Sequence, residues 1–364
     1  MSCEWLTRIL YVRETEVQEV FHIVRGTRIL LRVVTVLVFL TGSVVLLRAE
    51  PDWRGLPEKV DSDWTEWYRP VEEPVFTTAH GNNHDSILFV DMDEEYPYKL
   101  IVSHEPSHAY LWRTKHFSWS SVNWELVSKK YNIAGHYEYD DGVKVNGTYY
   151  IYEVGNVYTY SGSLEDADGN WKKRGTFPDQ IDDIGVYHEN GVFHVFGEYG
   201  EFPHGPDGTS LAHFRSDSGF GNWELVDKKA VDPNPDGGRK YGTGDPTIAK
   251  IEGSYYIYCD LEMKGTPYRI MGWKSSDINE PFTFLGILMT PRSDQTANWD
   301  NYRVQDPDIG YIPDLNRYVM VCNMKDHDGV PGNMKDFPNL GDGNTRVNGW
   351  FYSRKTIGKQ SSWQ

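Results

Sequence analysis

Three cysteines in 364 residues, Cys3, Cys259 and Cys322, are too few and too scattered for a disulfide framework or a cysteine-based metal site. The last two fall in apolar, strand-like contexts and read as small buried hydrophobes. Histidines are equally uninformative about metals, since His84, His104, His108, His136 and His188 lack the spacing of a zinc site. Helical periodicity of useful length is missing after Glu50. Positive charge is short as well: 36 Lys and Arg face 53 Asp and Glu, for a formal net charge of -17. So acidic a surface repels phosphate backbones, which argues against a nucleic-acid partner. Only one long apolar run occurs, Val33 to Leu47, with Arg25, Arg28 and Arg32 before it and Ala49 after it. The run is short of the about 20 residues that span a bilayer, and its flanks resemble a secretory signal. Residues 1–49 are therefore expected to be a signal peptide or N-terminal anchor. The chain is expected to be secreted or periplasmic, with no membrane contact beyond that anchor.

What the chain has in abundance is aromatic residues and turn formers: 13 Trp, 24 Tyr, 34 Gly and 19 Pro. These suit many short strands joined by tight turns. A pattern of aspartate, short apolar stretch, polar turn and aromatic-rich strand occurs five times. It begins at HDSILFV (His84), DDGVKVNGTYYIYEV (Asp140), DDIGVYHENGVFHVFGE (Asp182), GDPTIAKIEGSYYIYCD (Gly244) and QDPDIGYIPDLNRYVMVCN (Gln305). Turns such as Asn146-Gly147, Asn190-Gly191 and Glu252-Gly253 mark hairpins. Between the copies, Trp124, Trp171, Trp223 and Phe282 or Phe284 mark outer strands that seal one sheet against the next. The strand-start aspartates are Asp85, Asp141, Asp183, Asp245 and Asp306, roughly 40 to 60 residues apart, the length of a four-stranded propeller blade. The expected fold is an all-β, five-bladed β-propeller spanning residues 50–364. A β-sandwich is the rival fold, but it gives no reason for an aspartate at one offset before five hairpins.

In a propeller the innermost strands line one channel and run in the same direction, so five carboxyl groups would point at one mouth. Converging carboxylates repel one another and lose solvation, which raises some of their pKa values. One group can then stay protonated as an acid while another is ionised as a base, the division of labour that glycoside hydrolysis needs. An aspartate at a strand start can also simply cap a turn or bind backbone amides, and Asp141 and Asp306 are the first candidates for that role.

These residues resemble the five-bladed propeller glycosidases, the superfamily of glycoside hydrolase families 43, 62, 32, 68 and 117, from about Asn82 to Asn323. The resemblance implies a hydrolase of plant or algal polysaccharide or oligosaccharide acting through an inverting acid/base mechanism. His84-Asp85-Ser86-Ile87 is similar to the first-blade motif, which implies Asp85 as the base. Ile181-Asp182-Asp183-Ile184 is similar to the third-blade motif, which implies that Asp183 tunes the acid and orients substrate. Where family 43 has Glu-Gly-Pro, this chain has Gly244-Asp245-Pro246. Asp245 is then either the acid on a shorter arm or a substrate-holding residue, with Glu198, Glu201, Glu262 or a histidine as proton donor. His84, Asp141, Glu201, Glu262 and Asp306 are the candidate substrate-binding residues. The resemblance requires no cofactor, assigns no metal ligand, and leaves room for a structural Ca²⁺ in the central channel. The rival readings are a carbohydrate-binding propeller without catalysis, and an exo-hydrolase similar to families 117 or 32 with a different acid.

Overall fold

The computed structural model of the chain describes residues 83–104, 108–133, 139–153, 155–177, 181–199, 209–234, 241–262, 267–291, 303–325 and 346–354. Before them it describes 39–40, 43–44, 56, 59–60, 62, 64–71 and 75–76. The chain divides into two units, Met1–Trp53 and Arg54–Gln364. In the first, Phe39–Leu40 pairs antiparallel with Ser43–Val44. The remainder of the expected leader lies outside the described residues. Among the described residues, no helix is long and apolar enough to cross a membrane.

The second unit is a five-bladed propeller of four-stranded antiparallel sheets. Blade I runs Asn83–Val90, Tyr98–His104, His108–Thr114 and Glu125–Tyr131; blade II runs Asp141–Val145, Thr148–Glu153, Asn156–Ser161 and Lys172–Thr176. Blade III runs Ile181–Glu189, Val192–Tyr199, Ser210–Ser216 and Glu224–Val231; blade IV runs Gly242–Ile251, Ser254–Glu262, Arg269–Ser275 and Thr283–Met289. Blade V takes Arg303–Ile312, Arg317–Lys325 and Arg346–Ser353 from the end of the chain. Its outer strand, Trp67–Tyr68, comes from before blade I. That strand closes the ring, with Tyr352 opposite Tyr68 and Ser353 opposite Trp67.

The first two strands of each blade form the hairpin that the repeat marks. Asn146-Gly147, Asn190-Gly191 and Glu252-Gly253 all have positive φ at both positions, the type I′ turn whose twist matches the flanking strands. Trp124, Trp171, Trp223 and Phe282 each stand immediately before an outer strand and turn into a seam between blades. Trp223 stacks on Phe177 at 4.6 Å, and Phe282 meets Phe196 edge-on at 5.4 Å. Between blades V and I, Trp124 stacks on Trp350 at 5.9 Å, with Phe76 and Phe117 packed against both. Cys259 and Cys322 are buried and unbridged, as their apolar contexts imply.

Polar staples join the inner strands around the axis. The Asp141 carboxylate accepts from Val186 N of blade III at 2.7 Å, and Asp308 accepts from Leu88 N of blade I and from Thr247 Oγ1 of blade IV. Between blades V and I, Asn83 Nδ2 donates to Asn348 Oδ1 at 2.6 Å and Asn348 Nδ2 donates to Ser86 Oγ at 2.7 Å. These bonds hold the strand that carries Asp85.

Candidate active site

Four of the five inner strands carry a β-bulge near their start. The pairing register slips between Asn83 and Ser86, Asp182 and Ile184, Gly244 and Thr247, and Gln305 and Asp308. A bulge inserts one unpaired residue and re-aims its neighbours. At three of these bulges an aspartate adopts a left-handed backbone: Asp183 at φ 43°, Asp245 at 46° and Asp306 at 49°. Aspartate tolerates this region better than most side chains. Pro246 and Pro307 lie in the bulges of blades IV and V, where a residue without an N–H leaves no ladder donor unmet.

The bulged ends meet in a narrow, water-sized cavity of ≈ 10 Å³ lined by every blade: Asp85 and Ser86, Asp140, Ile184, Asp245 and Pro246, Asp306 and Pro307. Asp85, Asp245 and Asp306 each place a carboxylate oxygen within 4.8 Å of the other two. Asp85, Asp245 and Asp306 thus converge on one mouth. Asp183 is neither in that group nor among the residues lining the cavity, but its charge raises the pKa values of Asp140, Glu198, Asp245 and Asp260.

Blade II departs from the expectation. Its inner strand has no bulge, and Asp140, whose N–H bonds Tyr152 O at 3.0 Å, takes the position facing the cavity. Asp141 is not at the mouth: its carboxylate is committed to Val186 N and, at 2.6 Å, to Gly142 N. The repeat contained a signal for this. Asp183 and Asp245 lie seven residues before the positive-φ residue of their hairpins, Asn190 and Glu252. Without the bulge residue the count is six, which leads from Asn146 to Asp140. The side chain of His84 and the whole of Glu201 lie outside the described residues.

A second set of carboxyls comes from the second strands, which climb back to the same mouth. Glu198 ends in blade III and Glu262 in blade IV, and both are buried. They meet over Gly244. A Cβ there would sit 3.0 Å from Glu198 Oε1 and 3.1 Å from Glu262 Oε1, so the glycine leaves the space that both carboxyls use. Burial, then the charges of Asp183 and Glu262, hold Glu198 well above the usual carboxylate range. Burial lifts Glu262 to about 7, although a Tyr268 hydrogen bond and the Arg303 charge pull it down. Asp140, Asp245 and Asp260 are raised by burial first and by neighbouring carboxylates second. Asp260 staples blades IV and V by accepting from Asp306 N at 3.1 Å. Its other oxygen, Oδ2, is buried with no hydrogen-bond partner among the described residues. Asp245, Asp260 and Glu262 form a second group with oxygens within 4.8 Å of one another. Both groups are close enough to hold a cation.

The spacing bears on the chemistry. An inverting pair stands about 6.5–9.5 Å apart to admit water, and a retaining pair about 5–5.5 Å. One oxygen of Asp85 and one of Asp245 lie within 4.8 Å of each other, which puts this pair toward the short end of these spacings.

Solved structures share this architecture. The chain is similar to a thermostable family-43 glycoside hydrolase at 13% identity, covering 79% of this chain and 98% of that one, with a TM-score of 0.52. A GH43_1 enzyme from Xanthomonas citri matches at 14% identity over 76% and 88% of the two chains, TM-score 0.51. An α-L-arabinofuranosidase from Podospora anserina, solved in complex with cellotriose, matches at 11% identity over 81% and 99%, TM-score 0.55. What they share is the fold. No protein-family model matches the chain, and no curated protein sequence matches it.

Proposed function

We propose that the chain is a glycoside hydrolase that cleaves a plant or algal polysaccharide or oligosaccharide by single displacement. The observation that carries this reading is the convergence of strand-start carboxyls on one cavity, beside a buried glutamic acid that titrates near neutrality. Asp85 is the base that takes a proton from water as the water attacks the anomeric carbon. Glu262, protonated below about pH 7, gives its proton to the departing glycosidic oxygen, and its burial and the charge of Asp306 disfavour its ionised form. Asp183 raises the proton affinity of Glu198 and Asp245, while Asp245 and Asp306 hold sugar hydroxyls at the floor. The five-bladed fold shared with family-43 and family-62-type structures supports the reading, and the basic-then-apolar segment ending near Ala49 supports export with it.

A structural Ca²⁺ fits the group of Asp85, Asp245 and Asp306, since carboxylate oxygens are the hard donors it prefers. With one oxygen taken from each residue, Asp85 keeps its second oxygen for water. Bound there, the ion would offset the repulsion among the three, and no step depends on it.

The test is a pair of variants measured on the natural glycan and on an aryl glycoside whose leaving group needs no proton. D85N loses both activities. E262Q loses about 10²- to 10⁴-fold on the glycan and far less on the aryl substrate, as expected for removal of a general acid. Full glycan turnover by E262Q refutes the acid assignment. Glycan binding without any sugar released by the parent protein favours a binding propeller instead. One observation favours a second reading: the close approach of Asp85 and Asp245 suits double displacement through a glycosyl-enzyme intermediate. The configuration of the sugar first released, read by NMR, separates the two mechanisms.

A further inference from the structure

Arg303 opens the inner strand of blade V and is half-buried beside the mouth. Its guanidinium carbon lies 4.1 Å from the centroid of the Tyr268 ring, within cation–π range. Tyr268 comes from the connection that leaves the Glu262 strand, and it hydrogen-bonds the Glu262 carboxyl. Its carbonyl accepts from Val304 N at 3.3 Å, which ties that connection to the strand carrying Arg303. On its other side, Arg303 Nη1 donates to Gln305 Oε1 at 3.4 Å. With its oxygen so engaged, Gln305 presents Nε2 to both oxygens of Asp306, each at 3.0 Å. The remaining charged groups around Glu262 among the described residues are carboxyls: Glu198, Asp245, Asp260 and Asp306.

We propose that Arg303 is a positioning residue that sets two carboxyls from two blades at once, Glu262 through Tyr268 and Asp306 through Gln305. Each arm is a single intermediary side chain. Asp306 sits on a left-handed bulge, so its carboxyl direction is not fixed by a regular strand. Glu262 has only the crowded gap over Gly244 to share with Glu198. A planar cation with donors on more than one edge suits this task, because it can stack on the ring and bond the amide together. The inference deepens the proposed reading and rests on Glu262 serving as the acid.

The test combines kinetics with crystallography on the full chain. R303M keeps the aliphatic stem and removes the charge and the donors. On the glycan, R303M is expected to lower kcat by about 10- to 100-fold, the loss that small misplacement of reacting groups brings, with KM within about two-fold. The aryl glycoside, which needs no proton from Glu262, falls much less, and R303K recovers part of the glycan rate. Equal losses on both substrates, or an R303K no better than R303M, overturn the proposal, because a purely structural residue gives that result. The crystal structure of R303M is expected to show the Gln305 amide turned away from Asp306 and the Tyr268 ring displaced from Glu262. Both side chains left in place overturn the proposal whether or not any glycan is cleaved. An E262Q variant as active as the parent removes the acid reading instead, and the crystal structure still decides the role of Arg303.

Discussion

Replacing Asp308 by Asn should make the protein more stable at alkaline pH, although it removes a residue that joins three blades. Asp308 lies two positions beyond the bulged Asp306, where its carboxyl accepts from Leu88 N and, at 3.2 Å, from Thr247 Oγ1. Those bonds favour its ionised form, yet burial outweighs them and lifts it from 3.8 to about 7. Asp141 is raised too, by burial first and then by the charge of Asp308. A carboxyl whose folded pKa lies above its unfolded value contributes stability that is fully present below the unfolded value. It loses that contribution as pH rises through the folded value. The window for Asp308 therefore runs from about 4 to about 7. At about 1.4 kcal/mol per pKa unit, the ionised Asp308 withholds on the order of 4 kcal/mol from folding at pH 8. Asn removes that charge, keeps an acceptor for Leu88 N, and turns its amide N–H toward Thr247 Oγ1. The threonine proton must then find another acceptor, at roughly 1 kcal/mol. The expected net gain is about 2–3 kcal/mol at pH 8, with none, or a small loss, at pH 4. Urea unfolding at both pH values, followed by tryptophan fluorescence, measures the difference. A D308N protein less stable than its parent at pH 8, or one whose difference does not change with pH, refutes the argument that burial outweighs the bonds.

Two other substitutions follow from the seams. W350A opens a void among Trp124, Phe76 and Phe117, and should cost about 3–5 kcal/mol in a denaturant titration. N348A removes the acceptor of Asn83 Nδ2 and the donor to Ser86 Oγ, at about 1–3 kcal/mol for each buried group left without its bond. Because Ser86 adjoins Asp85, N348A should also lower glycan turnover further than its loss of folded protein explains, as kinetics at a temperature well below its Tm would show.

The repeated hairpins were legible because local chemistry specifies them: Asn-Gly and Glu-Gly turns accept two positive φ angles, and a Trp or Phe before the outer strands of blades I to IV fills a seam. Blade count and the direction of the inner strands follow from that pattern. Closure was not legible. Trp67–Tyr68 is a two-residue strand with no periodicity of its own, and only its pairing with Tyr352 and Ser353 defines it. The site divided along the same line. Asp85, Asp183, Asp245 and Asp306 could be placed because each opens a repeat, but choosing Asp140 over Asp141 required knowing which blade lacks a bulge. That is a matter of register, which long-range pairing decides. Glu262 and Glu198 were visible as acidic residues at strand ends, while their meeting over Gly244 depends on two blades approaching each other. Arg303 and Tyr268 belong to no repeat at all and Gln305 merely opens the fifth copy, so nothing local marked the three as a set.

The bulges link the fold to the chemistry. A regular inner strand alternates its side chains, so the residue that opens it and the residue two further on point the same way. The inserted residue breaks this parity. In blade V, Asp306 lines the mouth cavity, whereas Asp308 bonds Leu88 N and Thr247 Oγ1 in the blades on either side. Blade II reaches the same division without a bulge by placing its two carboxyls on consecutive residues, Asp140 for the cavity and Asp141 for the staple. Two solutions to one geometric demand suggest that the demand is for both tiers, one acidic ring open to the mouth and one pair of acids bonding the blades beneath it. Neither tier is favourable in itself: left-handed aspartates cost of order 1 kcal/mol each, and buried like charges cost more. The aromatic seams between the blades are what can carry that cost, so a loosened seam should relax the acidic ring before it unfolds the propeller.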